Sequence, residues 1–271
     1  MELNKIYKQK AEVALLDIPR AIIDLTVTSP PYDKLRSYNN DFNLPLIIKE
    51  LYRVTKPGGI CVWVVADQTK NFSESGTSFK QALQFIEYGW CLFDTMIWKK
   101  KNPMPGHRER YTDAFEYMFV FSKGKPKTFN PLRIPCKTAG KSQKWEERPH
   151  ESKIWKKNGF EVRKTQKTKL KSNIWEYAIG LGGSTNDKVA FEHPAIFPEQ
   201  MVADHISTWT NKGDIVFDPF MGSGTTAKVS IVMERNYLGS ECCETSWNIS
   251  KRRIETYLNS NSAAVSNLKS I

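Results

Sequence analysis

The sequence predicts an α/β protein: a doubly wound, mostly parallel sheet interrupted by an inserted basic region. Three observations carry this expectation. Apolar strand-like runs alternate with helical periodicities in the first third and again in the last third. Between them the rhythm fails across a Lys-rich stretch. Two turn-forming loops follow strands, the place where open α/β sheets bind ligands. With 271 residues, 40% hydrophobic and 12% aromatic, the chain can bury a sizeable core and is not a disordered one.

Taken in order, residues 21–28 (AIIDLTVT) form a β-branched run stopped by Pro30 and Pro31, which cannot donate to a ladder. Leu44, Ile47, Ile48, Leu51 and Val54 recur at helical spacing. The stretch 56–59 (KPGG) ends that helix, and 60–65 (ICVWVV) reads as a buried parallel strand. Residues 78–87 suit a helix, and 90–98 and 115–121 suit strands. After the basic stretch the sequence predicts a helix at 198–210 and a strand at 214–218. A helix at 225–234, a strand at 237–241 and a last helix at 246–258 follow. The Ser/Asn-rich end is expected to fray from 259 onward. The expected organisation is two halves of one domain, 1–122 and 186–260, around a basic region at 123–185, with a flexible tail at 261–271.

The formal net charge is +11, and its position matters. Residues 123–171 hold 16 Lys and Arg against 4 Glu, a net of +12, while the remainder is nearly neutral. Such a confined basic stretch suits a polyanion, DNA or RNA first, although a solvated surface insertion would look the same. The longest apolar run, 60–66, is far short of the roughly 20 residues of a membrane span, so no membrane association is expected. No apolar leader opens the chain, and the 5 cysteines make no C-x-x-C pair. Reduced thiols in a cytoplasmic protein, and no metal site, are the expectation.

Two motifs carry chemistry. In Asp218–Thr226, DPFMGSGTT, a strand ends in an acid, turns through Gly222 and Gly224, and opens a helix at Thr225. Glycines there allow backbone to approach a ligand, and the helix N-terminus favours an anionic group. Glu241, ending the next strand, can accept hydrogen bonds from both ribose hydroxyls of an adenosine cofactor. The dinucleotide fingerprint lacks its third glycine, since Ala227 stands there, and no Gly-Lys-Ser/Thr makes a P-loop. The second motif is TSPPY, Thr28–Tyr32. An exocyclic amine on a nucleobase is a poor nucleophile because its lone pair is conjugated with the ring. Acceptors on both its N–H protons, here the Ser29 hydroxyl and the Pro30 carbonyl, pull the nitrogen towards sp³. Pro30 and Pro31 fix the backbone so that this carbonyl points outward, and Tyr32 offers a stacking face for an extruded base.

With these motifs in this order, the chain resembles S-adenosylmethionine-dependent DNA amino-methyltransferases of the β group. TSPPY is similar to that family's catalytic motif and DPFMGSGTT to its cofactor motif. The resemblance extends to KPGG with ICVWVV, IWKKKNPMPG, FEYMFVFSKG and HPAIFP. It implies a Rossmann-like methyltransferase fold with permuted motif order, in which the middle segment recognises the target. It implies Ser29, Pro30, Pro31 and Tyr32 as catalytic residues. The implied cofactor site is Thr28, His193, Pro194, Phe197, Pro198, Asp218, Pro219, Phe220, Gly222, Ser223, Gly224, Thr225, Thr226 and Glu241. Serine before Pro30 resembles the cytosine-N4 members, with adenine-N6 transfer the alternative. Pro135-Cys136 offers a weaker cytosine-C5 reading, and a non-catalytic nucleic-acid-binding scaffold is the reading from another class. In this region the family usually carries an acid after the first strand; here Lys8, Gln9 and Lys10 precede Glu12.

The expected partner is double-stranded DNA, contacted by Lys99, Lys100, Lys101, Arg108, Arg110, Lys156, Lys157, Lys164 and Lys167. A monomer or homodimer is expected, sharing its site with a restriction endonuclease without a stable complex. Phosphate-bound cations release counterions, so removing each one should flatten the slope of log affinity against log salt by about 0.9. Replacing Lys156, Lys157, Lys164 and Lys167 with Ala should therefore weaken binding of a labelled duplex and reduce that slope. Titration at several salt concentrations measures it; a slope equal to wild type would remove this segment from the DNA surface.

Overall fold

The computed structural model describes residues 1–31, 42–106, 110–145 and 161–268. Tyr32, Arg108, Lys156 and Lys157 lie outside the described residues. The strands in chain order are β1 (Lys5–Tyr7), β2 (Ile23–Thr28), β3 (Thr55–Val65), β4 (Thr69–Lys70), β5 (Ser73–Glu74), β6 (Cys91–Lys100) and β7 (Phe115–Ser122). Then come β8 (Arg133–Pro135), β9 (Ser142–Trp145), β10 (Glu161–Lys164), β11 (Thr168–Leu170), β12 (Ile174–Tyr177), β13 (Ile215–Asp218) and β14 (Asn236–Ser240). The helices are α1 (Ala11–Asp17), α2 (Leu44–Val54), α3 (Thr77–Glu87), α4 (Glu199–Trp209), α5 (Thr225–Val232) and α6 (Glu244–Leu268). The chain divides into a main unit, 1–130 with 173–271, and a smaller unit, 131–172.

The main unit holds one sheet of 8 strands in the order β1-β14-β13-β2-β3-β7-β6-β12. Among these described strands only β7 runs antiparallel to its neighbours. This is the mostly parallel α/β sheet that the alternation of runs and periodicities predicts. Strand parity sets its two faces. Cys61, Trp63, Phe119 and Phe121 pack with Ile47, Leu51 and Phe85 of α2 and α3. The intervening residues turn the other way, where Met118 meets His205 of α4 across 3.4 Å. Both faces are therefore covered, and β3 is apolar throughout 60–65 because it is buried on both sides. Trp63 Nε1 donates to Gln81 of α3 at 2.7 Å, so the one polar atom of that core ring is satisfied.

Three local expectations change. The strand after α2 begins at Thr55, not Ile60. Register passes from Ile23 opposite Thr55 to Leu25 opposite Ile60, so Lys56–Gly59 is a bulge within β3, with Gly58 at φ +77°. The basic region is narrower than 123–185. Lys123 Nζ donates to the Tyr52 and Thr55 carbonyls at 2.6 and 2.8 Å, which fixes it in the main unit. At the other end, 174–177 form β12, parallel to β6 at the sheet edge. The final helix continues to Leu268, because no glycine or proline stops it after 259.

The smaller unit is a two-stranded ribbon. β8 pairs antiparallel with β11, and β9 with β10, where Lys164 stands opposite Ser142. The Cys136 N–H donates to the Lys167 carbonyl at 2.9 Å and the Thr165 N–H to the Lys141 carbonyl at 3.0 Å, joining the two pairs. Pro135 closes β8 here, so Pro135-Cys136 belongs to a ribbon and does not follow a strand of the main sheet. No helix among the described residues is long and apolar enough to cross a membrane.

Candidate active site

β2 and β13 are neighbours at the centre of the sheet, and the chain leaves them in opposite directions, β2 towards β3 and β13 towards β14. The strand order therefore reverses between them, which makes their carboxyl ends the topological switch point of the sheet. Both motifs stand there. Asp218 ends β13 and is buried. One carboxylate oxygen accepts from Thr28 Oγ1 at 2.6 Å and from the Phe220 N–H at 3.0 Å; the other accepts from Thr226 Oγ1 at 2.7 Å. Burial pushes this carboxyl up to about 6, against those three bonds, which favour the ionised form. Asp218 thus pins the end of β2, the loop and the start of α5 to one another.

The glycine loop is tight for stated reasons. Gly222 sits at φ +52°, and a Cβ there would stand 3.2 Å from the His193 ring. Its N–H donates to Glu241 Oε2 at 2.8 Å, while Glu241 Oε1 accepts from the Cys243 N–H at 2.8 Å. Burial raises the Glu241 carboxyl, and these backbone donors oppose the shift. Gly224, at φ +83°, packs against Ser250 of α6. Gly239 in β14 leaves room for Met221, whose Cε would lie 2.1 Å from a Cβ there.

An ion cluster around one buried arginine supports the loop from behind, and sequence patterns gave no sign of it because its members come from four separate segments. Arg253 of α6 is 1% exposed. It donates to the Ser223 carbonyl at 3.1 Å, Thr225 Oγ1 at 2.9 Å, Asp187 at 2.8 Å and Glu199 at 2.6 Å. Lys228 of α5 donates to the same two carboxylates at 2.7 and 2.8 Å. Burial pushes the Asp187 carboxyl up, but Lys228 and Arg253 outweigh it and hold it below its ordinary value. The two partly exposed carboxylates thus leave the buried Arg253 charge compensated.

A cavity of about 1170 Å³ opens at this switch point. Ser29, Pro30 and Pro31 line it, as do Asp218, Pro219, Phe220, Gly222, Ser223, Thr225, Thr226 and Glu241. His193, Pro194 and Phe197 complete one wall. Three residues expected at the cofactor are placed differently. Thr28 is fully buried and its hydroxyl is spent on Asp218, Gly224 faces α6, and Pro198 is buried at the N-cap of α4. The Phe220 ring packs on Phe42 and Trp63, with centroids 5.3 and 6.2 Å away. Glu12 also lines the cavity, from the first turn of α1, one turn later than a position directly after β1.

The profile of the N6/N4 DNA methylase family matches residues 23–252. The chain belongs to this family. Its matched span contains both motifs and the smaller unit between them. This methylase is 50% identical over 244 residues to the orphan methyltransferase M.BamHII of Bacillus amyloliquefaciens, covering 87% of this chain and 90% of that one. A solved PvuII DNA methyltransferase, described as cytosine-N4-specific, shares its fold with a TM-score of 0.68 at 19% identity, over 91% of this chain and 84% of that one. The M1.HpyAVI–SAM complex is similar with a TM-score of 0.58 at 24% identity, over 92% and 98%.

Several cations of the methylase that were expected on its DNA surface already have partners. Lys99 pairs with Glu176 at 3.0 Å, Lys100 with Glu116 at 2.9 Å and Arg110 with Glu74 at 2.6 Å. Lys101 and Lys167 are exposed. The Asp218 pin has a pH signature. Its folded-state value lies above the ordinary 3.8, so the folded chain holds this proton more tightly than the unfolded one. Its stabilisation is full below about pH 4 and is lost as pH rises towards about 6. Urea unfolding should show wild-type stability falling across that window relative to Asp218→Asn. Parallel pH profiles would show that Asp218 carries no such shift.

Proposed function

We propose that this methylase transfers a methyl group from S-adenosylmethionine to the exocyclic N4 amine of a cytosine flipped out of duplex DNA. The observation that carries the reading is that Ser29 and Pro30 after β2, the glycine loop after β13 and Glu241 after β14 line one cavity. The residues suit the cofactor. Gly222 lacks the Cβ that would close the space beside His193. Glu241 lines the cavity beside Gly222, whose N–H orients one of its oxygens, and a carboxylate at this place suits the ribose hydroxyls of the cofactor. When bound, S-adenosylmethionine supplies an electrophilic methyl carbon on a sulfonium.

The chain's own groups hold and activate the amine. The Ser29 hydroxyl and the Pro30 carbonyl accept hydrogen bonds from its two N–H groups, which draws the nitrogen lone pair out of conjugation; once the nitrogen carries the methyl group, its surplus proton is lost to solvent. Neutral serine is a weak base, so Ser29 orients and does not abstract. Tyr32 gives the extruded base a stacking face. The DNA backbone lies along the basic ribbon, where Arg133, Lys137, Lys141, Lys167 and Lys169 are exposed. A two-stranded ribbon is one of the shapes that fits the major groove, so this unit also reads the target. Cytosine is favoured over adenine by serine at position 29 and by the cytosine-N4 specificity of the structurally similar PvuII enzyme. A cognate restriction endonuclease would act on the same DNA site without a stable complex with this chain.

Incubation with genomic DNA and labelled cofactor, followed by nucleoside mass spectrometry, should yield N4-methylcytosine. N6-methyladenine alone would reassign the base, and duplex binding without transfer would indicate a non-catalytic scaffold. In the same assay Ser29→Ala should lower turnover by roughly 10²-fold or more, the scale of a misplaced reacting group, while cofactor binding holds. Near-normal transfer by that variant would remove Ser29 from the chemistry.

A further inference from the structure

The β4–β5 hairpin carries a feature that neither the cavity nor the core accounts for. Thr69 pairs with Glu74 and Lys70 with Ser73, so Asn71 and Phe72 alone make the turn. Their φ values are +50° and +62°. Both central residues at positive φ define the hairpin turn whose twist matches its strands, and its second position ordinarily goes to glycine. Asparagine tolerates that region, but a bulky aromatic residue there is strained. Packing gives nothing back, because Phe72 is 88% exposed.

The foot of the hairpin is held firmly. Asp67 accepts from Ser75 Oγ at 2.9 Å, the Ser78 N–H at 3.0 Å and the Ser78 hydroxyl. The Ser75 N–H donates to the Gln68 carbonyl at 2.8 Å, and Arg110 holds Glu74 at 2.6 Å. Gln68, Thr69 and Glu74 line the same cavity as Ser29 and Pro30. A strained, solvent-exposed phenyl ring therefore stands on a fixed foot at the rim of the active site, beside the exposed Lys70.

Extruding a base breaks its stacking and leaves a gap in the duplex. Proteins that unstack DNA insert apolar side chains between base steps. We propose that Phe72 is such a wedge, entering the base stack beside the extruded nucleotide while Lys70 meets the adjoining phosphate. The proposal rests on the DNA-methylation reading above.

Glycine at position 72 separates the wedge from a structural role, because it relieves the backbone strain while removing the ring. Phe72→Gly should keep or raise the melting temperature and leave cofactor affinity unchanged. With the target sequence mapped from methylated genomic DNA, single-turnover methylation of a matched duplex should fall about tenfold or more in Phe72→Ala and Phe72→Gly. The loss should shrink to about twofold when the target cytosine is mispaired and already easy to extrude. Equal losses on matched and mispaired duplexes, or wild-type rates on the matched one, would overturn the wedge. So would intact methylation with an altered sedimentation coefficient, which would place Phe72 between two copies of the chain. No transfer by the wild-type chain to any duplex would instead overturn the methylation reading, and the wedge with it.

Discussion

The buried carboxylate of Asp218 is the constraint on which the site depends. It lies between the two central strands, accepting one hydroxyl from β2, one from α5 and one backbone N–H from the loop between β13 and α5. A charged group in that position is costly unless its donors are in place. That cost ties the placement of the end of β2, which carries Ser29 and Pro30, to the formation of the glycine loop. The two motifs are 190 residues apart in sequence and one hydrogen bond apart in space.

A second set of charges braces the same loop from the opposite side. Arg253 reaches Ser223 and Thr225 only because Asp187 and Glu199 neutralise it in a place where water does not. Removing one partner would strand a buried charge, so this cluster locks α4, α5 and α6 together. The Thr226 hydroxyl donates to Asp218 and the Thr225 hydroxyl accepts from Arg253, so each brace holds one side chain at the start of α5.

Charge is divided between the units. The main unit spends many of its cations internally or in pairs, as at Lys56, Lys123, Lys228 and Arg253. The ribbon holds exposed cations on a scaffold too thin to bury anything. A two-stranded ribbon has little core of its own, and its backbone pairs through both β8–β11 and β9–β10 keep it ordered.

Much of the fold was legible in the chain. The apolar run at 60–65 had to be buried on both faces, and the Pro30-Pro31 stop, the Gly222–Gly224 turn and the strand-ending Glu241 each announced a strand end. These signals are local: they depend on residues a few positions apart and on the steric limits of proline and glycine. Other features were not legible. KPGG looked like a helix stop and proved to be a bulge, since only the pairing of β2 with β3 decides where a ladder begins. Residues 174–177 read as part of the basic segment, and only the free edge of β6 made them a strand. The sequence could not show that the Thr28 hydroxyl, expected at the cofactor, bonds Asp218 from a distant strand. Lys100 and Arg110 looked free until Glu116 and Glu74 came beside them. By itself the sequence determined the strand ends and the chemical groups placed on them. The tertiary structure decided which of those groups remain available, because a partner from a distant segment can satisfy a charge or a hydroxyl that no local pattern shows to be taken.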